Sequence, residues 1–186
     1  MLPDPLHPAV VHFPIVLAFL LPISAAVAIW TIRRGSRVTR AWLVPLALAA
    51  ALSSSAWVSA ETGEADEDRV ERVVGDRPLE THEEAAETFL LASGVVVLVA
   101  AAGLVPGIAG TIARVTTVVV ATGLIGGAAW VGHTGGELVY RHGAARAHTV
   151  IPSDQPMQEP SGRLELPAFQ KARSTSSQRD GEASRQ

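Results

Sequence analysis

Long apolar stretches alternate with short polar ones along this chain. Charged residues almost vanish between positions 8 and 32, 41 and 60, 88 and 113, and 115 and 136. Each window approaches the ~20 apolar residues that cross a hydrocarbon core of about 30 Å. One such window is an ordinary core helix, but four in a chain of 186 residues are not. The pattern predicts an all-α fold, a four-helix transmembrane bundle with helices at about 8–32, 41–60, 82–105 and 112–140. The lipid bilayer is then the first partner of the chain.

Local signals refine the boundaries. Pro8 suits a first helical turn, while Pro14 and Pro22 are expected to bend the first helix. Ser53, Ser54, Ser55 and Ser59 give the second helix a small surface for close packing. Thr81 and Glu84 have the spacing of a capping box, which makes His82 the first residue of the third helix. Pro106 and Gly107 end that helix, and a tight connection containing Arg114 leads into the fourth. In the fourth, Gly123 and Gly127 are four apart, as are Gly132 and Gly136. That spacing suits close helix packing, an oligomer, or a flat cofactor laid against the backbone. Beyond the membrane domain of residues 1–146, the prolines and polar residues of 147–186 predict a disordered tail.

Composition removes several function classes. Charged residues make up 18% of the chain, against roughly 25% in soluble domains. The absence of cysteine excludes disulfides, thiolate metal sites and covalent c-type haem attachment. No basic patch carries interleaved aromatics, so nucleic acid is not an expected partner. No phosphate loop or Ser-His-Asp motif is present, which favours an electron-transfer or binding protein over a hydrolase or transferase. The opening MLPDPLHP lacks the positive region of a signal peptide, so the first apolar stretch is expected to be retained.

Arg33, Arg34, Arg37 and Arg40 crowd the connection between the first two helices. The positive-inside rule puts them in the cytoplasm of an inner-membrane protein, with the N-terminus, the acidic loop 61–81 and the tail in the periplasm. Helix parity adds an inference that is independent of orientation. His7, His12, His82, His133, His142 and His148 must lie toward one face. His133 is roughly 10 Å below Tyr140 at 1.5 Å per residue, and His12 is about one turn inside the first helix. Ionisable groups at such depths usually face the bundle interior. Trp30 and Trp42 fit an aromatic belt at the opposite face. Trp57, Trp130 and Tyr140 fit one at the histidine face, where either tryptophan is also a candidate pocket wall.

Two chemistries suit these groups. His12 and His133 are the best pair of axial ligands for haem b, with His82 a substitute for either and Arg141 a partner for a propionate. Alternatively, His12, His82 and His133 with Glu87 and Glu137 suit non-haem Fe, Cu or Zn. His133 and Glu137 are four apart and share a helical face. Proton relay and a structural, partner-binding subunit without cofactor are the other readings.

The segments LHPAVVHFPIVLAF and GHTGGELVYRHG, with ETGEAD after the second helix and His82 at the third, resemble a bacterial membrane family catalogued as domain of unknown function 2231. The resemblance covers about residues 6 to 146. It implies a four-helix membrane domain. Relatives joined to cytochrome c modules imply redox surroundings and a cytochrome c-like partner.

Overall fold

A computed structural model describes residues 6–148. These residues form α1 (His7–Val10), α2 (His12–Arg33), α3 (Val38–Glu64), α4 (Glu67–Val74), α5 (Asp76–Ala102) and α6 (Gly107–Tyr140), followed by a 3-10 turn over Ala144–His148. Four spans are long and apolar enough to cross a membrane: α1 with α2, then α3, α5 and α6. The expected all-α four-helix bundle is therefore present, with no strand among the described residues. The tail from 149 onward lies outside the described residues.

The spans run up and down in turn. α2 packs on α3 and α6, and α5 packs on the same two. α2 and α5 therefore face each other across one diagonal, and α3 and α6 across the other. The distribution of side-chain sizes is that of a protein dissolved in lipid. Buried positions are mostly small, including Ala18, Ala25, Ala49, Ala100 and Ala121. Large apolar side chains point outward, Leu91 and Leu98 among them at 72% and 71% exposed. A water-soluble monomer rarely exposes such a continuous apolar surface. Small interior residues let the backbones approach, which is how helices gain dispersion energy where lipid is as apolar as leucine.

The buried positions repeat in steps of three and four. On α3 they are Trp42, Pro45, Ala49, Leu52, Ala56 and Ser59. On α6 the stripe runs Gly110, Arg114, Thr117, Ala121, Leu124 and Ala128. This is the seam of a left-handed bundle.

Several local expectations are corrected. α5 begins at Asp76, so His82 lies nearly two turns inside it. The Thr81 hydroxyl donates to the Arg77 carbonyl at 3.0 Å instead of capping. Gly75, at φ +77°, ends α4 and starts α5, and Pro78 falls in the first turn, where no backbone donor is missed. Arg114 is not in the connection. It is buried on α6 and donates to the Gly103 carbonyl and the Thr111 hydroxyl, closing the turn between α5 and α6. Trp42 is not a belt residue but is fully buried. The first span is interrupted at Val11, between α1 and α2 and one turn before Pro14, whose missing N–H leaves the Val10 carbonyl without its usual helical donor. Pro22 is accommodated within α2.

Candidate functional site

Continuing the three-and-four seams toward the histidine face leads to one layer. From Ala28, Ala25, Leu21, Ala18 and Pro14 the next steps are Val11 and His7. From Ser59 the next is Gly63. From Ala100, Val96, Ser93 and Phe89 they are Ala86 and His82. From Ala128 they are Val131 and Gly135. The bundle thus ends in a layer of two histidines on one diagonal and two glycines on the other.

α1 packs against α3, where His7 is seated. Its Nδ1 lies 2.9 Å from the carbonyl oxygen of Ser59 and 3.4 Å from the Thr62 hydroxyl. A carbonyl oxygen only accepts, so Nδ1 of His7 carries the proton. His82 Nδ1 lies 2.9 Å from Thr134 Oγ1, whose own proton goes to the Val131 carbonyl at 3.0 Å. With its proton so placed, the Thr134 hydroxyl oxygen is open to accept, which suits the tautomer that carries the proton on Nδ1 of His82. In the neutral rings both Nε2 atoms are then bare lone pairs. Neither has a hydrogen-bond partner among the described residues, and no unpartnered polar side-chain atom is sealed from the surface. Both lone pairs are consequently accessible. The ring centroids are 6.4 Å apart and the planes are nearly perpendicular, at 85°.

Glycine makes room for each ring. A Cβ on Gly63 would come within 3.3 Å of His7 Cε1, and one on Gly135 within 3.1 Å of His82 Cε1. Two lobes flank the pair. An apolar lobe of about 390 Å³ is lined by Pro14, Ile15, Ala56, Phe89, Ala128 and Val131. The other lobe, of about 410 Å³, has a largely apolar wall with a rim of Glu64, Asp66, Glu67, Glu83, Glu87 and His148, for which it is called the polar lobe.

The sequence-derived site residues fare unequally. Helix parity holds, since His7 and His82 meet at one face. His12 and His133 do not meet there. Both are exposed, His133 at 60% of its side chain, and neither lines either lobe. His12 is one position past the seam residue Val11, and His133 is midway between Val131 and Gly135, so both point out of the bundle. His133 shares a face with Glu137 as expected, at 3.8 Å, but Arg141 holds the same carboxylate oxygen at 2.6 Å. That triplet is exposed on α6, so Arg141 is engaged away from the cleft. Glu87 borders the polar lobe, and Glu137 does not. The proposed metal ligands are therefore dispersed, and among the described residues no three His, Cys, Asp or Glu side chains converge as a metal cluster. Trp57 and Trp130 are exposed, as in a belt. His7, Ser59, Gly63, Thr134 and Gly135 carry the site, although only the seam phase singles them out in the sequence.

Outside the spans, Glu71 on α4 is held above the ordinary carboxylate value. The main cause is a hydrogen bond to Asp76 and then that residue's charge, with Glu67 and Asp68 adding to it. The folded corner therefore favours the proton. Its stability is greatest below the unfolded carboxyl range and is lost as pH rises through Glu71's folded value. Glu71→Gln should flatten this part of the dependence of Tm on pH, measured in detergent by thermal unfolding.

No protein-family model, characterised protein or solved structure matches the chain.

Proposed function

We propose that the protein is a multi-pass inner-membrane b-type haem protein with a redox, electron-transferring role, and that His7 and His82 are the axial ligands. The observation that carries this reading is the ligand count. Two imidazoles lie with ring centres 6.4 Å apart, each with Nδ1 in a hydrogen bond, and among the described residues no third ligating side chain joins them as a metal cluster. Imidazole nitrogens at about 2.1 Å on opposite sides of one metal would keep the ring centres roughly 6 Å apart, once the ring radii are added. The 6.4 Å spacing matches that arrangement. A bare ion needs about four donors, whereas a porphyrin supplies its own four and asks the protein for two.

The chain's contributions follow from its geometry. The Ser59 carbonyl and the Thr134 hydroxyl fix each ring's tautomer and orientation, and the Ser59 carbonyl makes His7 a stronger donor to metal. The apolar lobe would offer the group a mostly aliphatic wall, and α1 and α5 hold the two histidines at one end of the bundle. The bound group supplies a one-electron iron couple. Carboxylates of the polar lobe favour its more positive, oxidised form. The arginine-rich connection 33–40 supports an orientation with this site on the periplasmic side, where a cytochrome c-like protein is a suitable partner.

The test is an oxidised and a reduced visible spectrum of protein purified in mild detergent after expression with haem precursor. A Soret band that sharpens on reduction, at one haem per chain, is the expected result. A colourless protein with stoichiometric Fe, Cu or Zn would favour the second reading, a bare metal ion, for which the acidic wall at Glu64, Glu83 and Glu87 speaks. With neither, both readings fail. Thr134→Val tests the orienting bond. It removes the acceptor of His82 Nδ1–H at nearly constant volume, and haem retention should fall roughly 10–100-fold in a competition assay against apomyoglobin.

A further inference from the structure

The bundle end opposite the histidines carries charge of one sign. The connection between α2 and α3 holds Arg33, Arg34, Arg37 and Arg40, all exposed. The turn between α5 and α6 at the same end has no charged side chain, and Arg114 is buried just inside it. Every acidic residue from 6 to 148 lies between 61 and 87 or at 137, toward the other end. Among the described residues, the four exposed guanidinium groups have no hydrogen-bond or ion-pair partner. Arg34 is nevertheless held in place, because its guanidinium lies over the Trp30 ring, 4.6 Å from the centroid. Trp30 tops an exposed stripe of α2 that runs Leu20, Ile23, Val27 and Trp30 in steps of three and four. From Leu20 to Trp30 the helix rises about 15 Å. That is one leaflet of a hydrocarbon core about 30 Å thick. Trp30 then falls at the interface, where tryptophan is favoured, and Arg34, one turn farther, at the level of headgroup phosphates.

We infer that Arg34, with Arg33, Arg37 and Arg40 of the same connection, binds the headgroup of an anionic phospholipid whose acyl chain lies along the stripe from Leu20 to Trp30. The inference is independent of the haem reading and of which face is cytoplasmic. A guanidinium meets a phosphate through two parallel hydrogen bonds, and a stacked one loses little freedom in making them. A zwitterionic headgroup brings its own cation to a corner with no carboxylate to receive it. A headgroup of net negative charge is therefore favoured. The charge rule that orients membrane chains counts lysine and arginine alike. It does not account for an arginine stacked on the tryptophan that tops a leaflet-long stripe.

Lipid retention by the full chain in mild detergent tests this. Phosphatidylglycerol and phosphatidylcholine are added in equal amounts, and bound lipid is counted by native mass spectrometry. Wild type should retain phosphatidylglycerol at least about fivefold better, and Arg34→Gln should weaken that retention about fivefold. Trp30→Leu keeps the apolar stripe but loses the stack, and should weaken it roughly threefold. Arg72→Gln removes the same charge on α4, at the other end, and should change nothing. Arg34→Lys keeps the charge and loses the two-pronged contact, so retention should also fall. It gives the readout should the glutamine variant fail to insert. Inorganic phosphate should not displace the lipid, because it cannot use the stripe. A wild type with no preference for phosphatidylglycerol would overturn the inference. So would a preference that survives substitution of Arg34, an equal loss in Arg72→Gln, or displacement by phosphate.

Discussion

His82→Ala and His7→Ala are each expected to abolish the six-coordinate haem spectrum, whereas His12→Ala and His133→Ala should leave it unchanged. The four substitutions remove the same ring, and the pairs differ in whether that ring lies on a seam or on the outside of the bundle. His7 and His82 lie on the seams and face each other at 6.4 Å. His12 and His133 are exposed on the outside of the bundle. Loss of one axial ligand should leave, at most, a weakly held five-coordinate haem with a broadened, shifted Soret band. Added imidazole should restore the sharp band in either alanine variant, because deleting the ring leaves room beside Gly63 or Gly135. If His12→Ala or His133→Ala loses the haem while His7→Ala keeps it, the assignment is wrong.

Trp42→Ala should produce the largest loss of stability of any single substitution described. The indole is fully buried where α2, α3 and α5 meet at the face opposite the histidines. Its Nε1–H donates to the Ala100 carbonyl at 2.7 Å, and Gly103 lies so close that a Cβ there would overlap the ring. Truncation of a buried tryptophan typically costs about 3–5 kcal/mol. Lipid does not drive helices together by the hydrophobic effect, so lost contacts and the hydrogen bond supply that cost here. Trp42→Phe should keep most of the packing and lose about 1 kcal/mol with the bond. Thermal unfolding in detergent reads both. An alanine variant as stable as wild type would mean the indole is not a packing anchor. Since the site lies at the other end, the phenylalanine variant should bind haem normally.

The fold was legible because four charge-free windows leave few alternatives, and helix parity put the histidines on one face. Boundaries were less legible. Thr81 and Glu84 have capping-box spacing, yet Gly75 and Pro78 together form a better helix start, which the polar run 61–80 obscured. The candidate site was half legible. His82 was singled out, but His12 and His133 were preferred to His7 on depth alone. Depth says how costly an ionisable group is, not which way it points. The missing quantity was seam phase, readable by stepping three and four residues from alanine-rich positions such as Ala18 and Ala25. The groups that orient the rings are harder to read. The acceptor for His7 is a backbone carbonyl, at Ser59, which any residue type there would provide.

The interruption at Val11 puts the two imidazoles under different constraints during biogenesis. His82 rides on a continuous helix of 27 residues, while His7 sits on a separate one of four. The carbonyl that orients His7 follows it by 52 positions, and the acceptor for His82 is 52 positions beyond that histidine. No partial product with two spans inserted holds both rings. The pocket is therefore completed only once the fourth span, which carries Thr134, has been made. A ligand delivered early would find at most one imidazole with its partner in place.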